Sequence, residues 1–176
     1  MILTISGKAR AGKDTLAGFL KEEYEERGHS VLILHNADYL KFVAKEYFDW
    51  DGEKDDKGRT LLQFLGTDVV RSRVPDIWVN TISELMKGLR DEFDVFIVPD
   101  CRFPNEVNVL EREHRDVTAI SVVRTGGWES ELTPEQKAHS SETAMDDFNF
   151  DMIAEAEDME GLKEVALLIV DELSRR

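Results

Sequence analysis

Basic residues are scarce in this chain. Lys and Arg number 22 against 37 Asp and Glu, so the formal net charge at pH 7 is -15. Gripping a nucleic-acid backbone takes cationic side chains that displace counterions, so no nucleic-acid partner is expected. Cysteine is almost missing: Cys101 is the single one, which excludes an internal disulfide framework and fits a reducing, cytoplasmic compartment. The four histidines are scattered without ligand spacing, so a Cys/His metal centre is not expected. No run of 18 apolar residues occurs, so no membrane span is expected. Residues 1–5 already read as a strand, so no signal peptide is expected either. There are no repeats, low-complexity tracts or linkers, and 176 residues with 41% apolar content suit one domain with a real core. Between Thr125 and Leu162 the only basic residue is Lys137, against eleven acids, which reads as a solvated acidic surface.

Glycine is used sparingly, and two of the 11 fall in the stretch SGKARAGKDT, residues 6–15. Before it stands the apolar run MILTI. After it, Leu16, Phe19, Leu20 and Tyr24 recur at helical spacing until Gly28, where a helix commonly ends. A strand, a G-x-x-x-x-G-K turn and a helix together form the context of a phosphate-binding loop. Gly7 and Gly12 allow a tight turn and close approach to an anion. The backbone N–H groups of Lys8, Ala9, Arg10 and Ala11 can then face phosphate oxygens at the positive end of the helix dipole. Lys13 reaches the β- and γ-phosphates. Ser or Thr usually follows that lysine directly, but here Asp14 intervenes. Either Thr15 takes the magnesium role one position later, or Asp14 contributes through water.

Further along, strands are expected at 30–35 (SVLILH), 94–100 (DVFIVPD), 117–124 (VTAISVVR) and about 150–156. Helices are expected at 36–48, 59–74, 76–90, 103–113 and 159–176. TPEQ, at 133–136, has the form of a capping box with Pro at the first helical position. The early strands are apolar on both faces, and strands alternate with helices. The fold class is therefore α/β: a three-layer arrangement around a mostly parallel five-stranded sheet. Ligands in such sheets bind at the carboxyl ends of the strands. Polar residues gather there: the glycine loop, Asp38 in HNAD, Asp100 and Arg102 in PDCR, and Arg124. Asp100 suits magnesium or its waters, and Arg102 suits a phosphate through its bidentate fork. The stretch between the second and third strands carries Arg59, Arg71 and Arg73. Trp50 and Trp78 are candidates to stack on a base, though core burial is the commoner fate of tryptophan.

The segments SGKARAGKDT, NADYLK, LLQFLGTDVVR, PDIWVN, VPDCRFPNEV and HSSETAMDD occur in the order seen in phage-type deoxynucleoside monophosphate kinases, which the chain resembles over residues 1–150. The resemblance implies a P-loop NTPase fold with an acceptor-binding insert at about 37–92 and a lid at about 125–142. It implies transfer of the γ-phosphoryl of ATP, with Mg2+, to a deoxynucleoside 5′-monophosphate for DNA precursor synthesis. It leaves room for a homodimer and, were the chain phage-encoded, places it in the host cytoplasm. It gives Gly7 to Thr15 and Arg124 to the ATP site, and Asp38, Lys41, Arg71 and Trp78 to the acceptor. Lys13, Asp100 and Arg102 fall to catalysis, and Thr15 and Asp100 to the metal. Kinases of this architecture deliver arginines from the lid, whereas here Lys137 is the only cation inside it, with Arg124 and His139 at its ends. Two alternatives are another small-molecule P-loop kinase, such as a dephospho-coenzyme A kinase, and a P-loop regulatory ATPase. The arginine-bearing insert argues against the latter, because a switch needs no acceptor pocket.

Overall fold

The computed structural model describes residues 1–53, 55–126 and 132–175. β1 (Ile2–Ser6) is buried along its whole length and sits at the centre of a five-stranded sheet. The other strands are β2 (Val31–Ile33), β3 (Val95–Val98), β4 (Val117–Arg124) and β5 (Met152–Ala156), in the order β2-β3-β1-β4-β5. Every pairing is parallel, so the sheet is wholly rather than mostly parallel. Parallel neighbours need crossover connections, and helices supply them on both faces.

Side-chain alternation along β1 divides the core. Leu3 and Ile5 pack with α1 (Lys13–Glu26) and α8 (Met159–Leu173) through Leu16, Leu20, Tyr24, Ala166 and Ile169. Ile2, with Phe96 and Val98 of β3, packs on the other face against α4 (Ile77–Leu89) and α5 (Pro104–Glu113) through Val79, Ile82, Met86, Val107 and Leu110. Each such aliphatic removed from water contributes about 1.5–3 kcal/mol. The chain leaves β1 toward one face and β3 toward the other. The crevice between their carboxyl ends is therefore the ligand-binding position of an open parallel sheet.

Between β2 and β3 stand α2 (Asp38–Tyr47), α3 (Asp56–Gln63), a π-helical segment (Phe64–Arg71) and α4. They share a small core of their own, made of Leu40, Ala44, Trp50, Leu65 and Trp78. The sequence spacing predicts one helix over 59–74. Instead, α3 passes into the π-helical segment at Phe64. Tertiary contacts accompany the wider turn: Trp78 Nε1 donates to the Gly66 carbonyl at 3.0 Å, and a Cβ on Gly66 would lie 2.5 Å from Leu40 Cδ2. Such π turns occur often at functional sites.

After β4, two short helices precede β5: α6 (Pro134–Ala138) and α7 (Ser140–Thr143). The expected capping box is present at α6. Thr133 Oγ1 accepts from Gln136 N at 3.2 Å, and Gln136 Oε1 accepts from Thr133 N at 3.2 Å. No helix among the described residues is long and apolar enough to cross a membrane.

Candidate active site

The glycine loop runs from the end of β1 to the start of α1. Gly7 has φ +148°, and a Cβ there would stand 2.6 Å from the Val122 carbonyl oxygen of β4. Both facts demand glycine. Gly12, at φ +102°, turns the chain into α1. The neighbouring loop is tied to this one: Ser6 Oγ donates to the Cys101 carbonyl at 2.8 Å, and Cys101 N donates to the Ile5 carbonyl at 3.2 Å. Asp100 and Arg102, just beyond β3, are thereby fixed beside residues 7–13.

Lys13 is buried, and its Nζ donates to the Gly7 and Lys8 carbonyls, each at 2.8 Å. Burial, reinforced by the nearby Arg102 guanidinium, brings its pKa down to about 8. Glu142, Asp14 and Asp100 pull in the opposite direction. Thr15 lies in the first turn of α1. Asp14 is exposed and accepts from His35 Nε2 at 3.2 Å. That contact raises the His35 pKa against the opposing effect of burial.

Asp100 is engaged by the loop after β2. Its Oδ1 accepts from Asn36 N at 2.8 Å and its Oδ2 from Ala37 N at 3.0 Å. Asp38 then opens α2, exposed to solvent, where it pairs with Lys41 at 2.8 Å and lies 3.5 Å from His35 Nδ1.

Arg71 closes the π-helical segment. Its guanidinium pairs with Glu106 of α5 and lies 4.1 Å from the centre of the Phe103 ring. Glu106, 2% exposed, also accepts from the backbone N–H of Arg102 at 2.6 Å and of Phe103 at 3.1 Å. Burial pushes its carboxyl pKa up, and the Arg71 guanidinium and the Arg102 amide oppose the rise. With three donors around it, the group acts as an ionised acceptor. Arg102 pairs in turn with Glu142 of α7 and donates from Nη1 to the Ser141 carbonyl at 3.1 Å.

A single cleft of about 1030 Å³ joins these parts. Its lining draws on the glycine loop and α1 (Ala9, Arg10, Lys13, Asp14), on the segments between β2 and β3 (Lys41, Arg59, Gln63, Arg71) and on the loop after β3 (Asp100, Arg102). Two buried polar atoms at its wall have no hydrogen-bond partner among the described residues: Asn36 Oδ1 and Arg71 Nε.

The candidates drawn from the sequence do not all meet. Residues 9, 10, 13, 14, 41, 71, 78, 100 and 102 line the cleft. Trp78 is 5% exposed, its indole committed to Gly66, so it offers a wall rather than an open stacking face. Trp50 likewise donates to the Glu53 carbonyl at 2.9 Å from a buried position. Asp38 and Arg124 are exposed and outside the lining; β4 carries Arg124 to its very end, beyond the last buried position at Val122. Of the expected lid, residues 127–131 lie outside the described residues, while Leu132, Ser141 and Glu142 line the cleft. The sequence alone assigns no site role to Glu106 or Glu142, although they stand inside the segments VPDCRFPNEV and HSSETAMDD.

A wholly parallel sheet with a glycine loop opening its first helix defines the class as a P-loop NTPase fold. Solved structures share the architecture. They include APS kinase CysC from Mycobacterium tuberculosis in complex with AMPPNP and APS (12% identity, 98% of this chain and 96% of that one, TM-score 0.57). Shikimate kinase from Aquifex aeolicus is similar too (14%, 99% and 98%, 0.55), as is a sugar kinase from Janibacter (14%, 97% and 94%, 0.57). At such identities the likeness concerns the fold. Residues 37–165 match the model of deoxynucleotide monophosphate kinase, and the chain belongs to that family of phosphotransferases. A comparison with curated proteins gave no match. The matched range starts after the glycine loop, so the loop's assignment stands on its own geometry.

Proposed function

We propose that the cleft holds ATP on the glycine-loop side and a deoxynucleoside 5′-monophosphate on the side of the π-helical segment, and that the γ-phosphoryl passes between them. The observation that carries this reading is one cleft lined both by the loop around Lys13 and by the segment ending at Arg71. Two phosphate-bearing substrates need two cationic walls facing a common centre.

In this reading an oxygen of the acceptor phosphate attacks the γ-phosphorus. The bond to the β-phosphate bridging oxygen breaks, and ADP leaves. Such a transfer asks for positioning and charge neutralisation rather than covalent help. The loop N–H groups and Lys13 hold the donor phosphates. Lys13 leaves two carbonyls to do so, exchanging neutral acceptors for anionic ones. Arg102, anchored between Ser141 and the Glu106-bound backbone, offsets charge on the transferring group. Arg71 lines the cleft, and its Nη1 donates to the Pro75 carbonyl at 3.1 Å and to Asn105 Oδ1 at 3.4 Å; in this reading the acceptor phosphate takes over those neutral contacts while the Glu106 pair stays.

Magnesium, which supplies charge neutralisation when bound with ATP, prefers oxygen donors and keeps much of its shell from water and phosphate. The Thr15 hydroxyl and the Asp100 carboxylate are of that type. Each Asp100 oxygen accepts one amide and keeps a lone pair, and Asp100 lines the cleft, so it fits the ion; Thr15 stands in the first turn of α1, outside that lining. No cluster of three or more His, Cys, Asp or Glu suited to a metal exists among the described residues, so these two are the residues to test. The helical segments 38–89 serve as the acceptor insert, and residues 132–143 as the cover over the loop.

A coupled ADP-release assay over a panel of deoxynucleoside monophosphates tests the reading with Lys13→Ala. The variant should fold and lose about 10²-fold or more in kcat. Near-normal turnover would remove Lys13 from the donor site.

A further inference from the structure

A carboxylate stands in the mouth of the glycine loop. Glu142 Oε2 accepts from the Ala9 backbone N–H at 3.1 Å, and Oε1 pairs with the Arg102 guanidinium. The side chain is 7% exposed and near enough to Lys13 to bear on its titration. Behind it, Lys8 Nζ donates to the Glu142 carbonyl at 2.6 Å and pairs with Asp146. A carboxylate so buried needs donors to compensate its lost hydration. Here the donors are a loop amide and the arginine of the strand-end motif, with a lysine ammonium close by. These are the groups that a nucleotide phosphate would require.

We propose that Glu142 is a built-in phosphate surrogate. Its carboxylate occupies the anion position of the donor loop in the free enzyme, and an incoming nucleotide must expel it. The proposal rests on the donor-loop reading above. Two anions cannot share one set of donors at hydrogen-bond distance without strong repulsion, so occupancy by Glu142 and by a donor phosphate is mutually exclusive. Its effect is selective. A lone phosphate gains little more than Glu142 already has and does not displace it. A polyphosphate makes further contacts along the loop and does. Expulsion also releases Arg102 beside the phosphoryl group. Glu142 thus sets an affinity threshold against small anions and keeps the loop closed to them when no nucleotide is present.

Isothermal titration with inorganic tripolyphosphate and with inorganic phosphate tests this. Wild type, Glu142→Gln, Glu142→Ala and Lys13→Ala are compared, with thermal melts confirming folding. Glu142→Gln keeps the shape and removes the charge. It should bind tripolyphosphate about tenfold more tightly, the scale of one charge-assisted contact no longer competing, and should bind inorganic phosphate measurably where wild type does not. A merely structural role would yield weaker binding, not tighter. Unchanged or weakened tripolyphosphate binding in Glu142→Gln overturns the proposal, and that variant decides alone if Glu142→Ala does not fold. Lys13→Ala should weaken tripolyphosphate binding at least tenfold. If it does so while Glu142→Gln gains nothing, only the surrogate role falls. If Lys13→Ala binds like wild type, the donor-loop assignment itself falls, and the surrogate with it.

Discussion

Arg71 and Glu106 form an ion pair between the π-helical segment and α5, with side chains 12% and 2% exposed. The pair ties the helical segments between β2 and β3 to the sheet layer, and it spends part of the guanidinium that the acceptor would use. Removing Arg71 therefore has two effects. It leaves Glu106 buried with two backbone amides as its remaining donors, and loss of one partner of a buried pair commonly costs about 3–5 kcal/mol. Arg71→Ala should sit near the lower end of that range in urea denaturation, because the amides remain. In the folded fraction the KM for the monophosphate should rise at least tenfold, the scale of a charged hydrogen bond lost, while the KM for ATP stays close to wild type. A rise confined to ATP would place Arg71 on the donor side.

Gly7 leaves no room for any side chain. Its φ of +148° is strained for other residues, and a Cβ would meet the Val122 backbone carbonyl at 2.6 Å. Backbone cannot move aside as a flexible side chain can, so β1 and β4 would have to separate locally. Gly7→Ala should lower the melting temperature and weaken tripolyphosphate binding together. Gly28, although also at positive φ, has nothing within 4 Å. Gly28→Ala should cost only the strain, of order 1 kcal/mol, and leave phosphate binding unchanged.

The contrast between these sites shows what one sequence discloses. β4 was legible to the residue, at 117–124, because β-branched residues dominate it: Val117, Thr118, Ile120, Val122 and Val123. The loop 7–12 was legible because its glycines answer to local geometry. β3 was expected to extend to Asp100, but Pro99 cannot donate to the ladder and the strand ends at Val98. The π-helical segment was hidden: Leu62, Leu65, Val69 and Val70 repeat in a way that a 3.6-residue period also satisfies. What accompanies it is a contact outside the segment, Trp78, twelve residues away, taking the Gly66 carbonyl. Glu106 and Glu142 were visible as letters but not as functions. Each acquires its role from partners far along the chain, Arg71 and Ala9, and no spacing rule connects them. Arg124 shows how little a strand end promises: it closes β4 in an exposed position and falls outside the cleft's lining.

Lys13 links phosphate binding to pH. Its pKa of about 8 in the free protein, against an ordinary 10.5, means that burial penalises the ammonium. The unfolded chain holds this proton more tightly, so this group adds stability as pH rises from about 8 toward 10.5. A bound polyphosphate reverses the balance by favouring the charged form. Binding near pH 8.5 should therefore take up a substantial fraction of a proton, seen as a buffer-dependent heat in titration calorimetry. Affinity should fall as pH climbs above about 8. Lys13→Ala should abolish the uptake in that range. Uptake that persists in the variant would locate the responsive group elsewhere.

Arg102 follows β3 and Arg124 ends β4, yet only Arg102 lines the cleft. Its guanidinium donates to the Ser141 carbonyl and its own backbone N–H is fixed by Glu106, contacts that do not involve the Glu142 carboxylate. Such anchoring places a planar cation beside Lys13 before any substrate arrives. A charge prepared in this way acts more on the transferring phosphoryl than on the bound ground state. Arg102→Ala should therefore lower kcat by about 10²-fold, with modest change in either KM. Arg102→Lys should rescue poorly, because a point charge cannot span Ser141 and a phosphate as the fork does. Arg124, exposed at the end of β4, has no such position, and Arg124→Ala should stay within about threefold of wild type in both constants, the scale of an ordinary surface substitution. Steady-state kinetics on the three variants, with circular dichroism to confirm folding, separates the outcomes. A large loss in Arg124→Ala with none in Arg102→Ala would mean that closure over the loop brings the distal arginine in and turns the proximal one away.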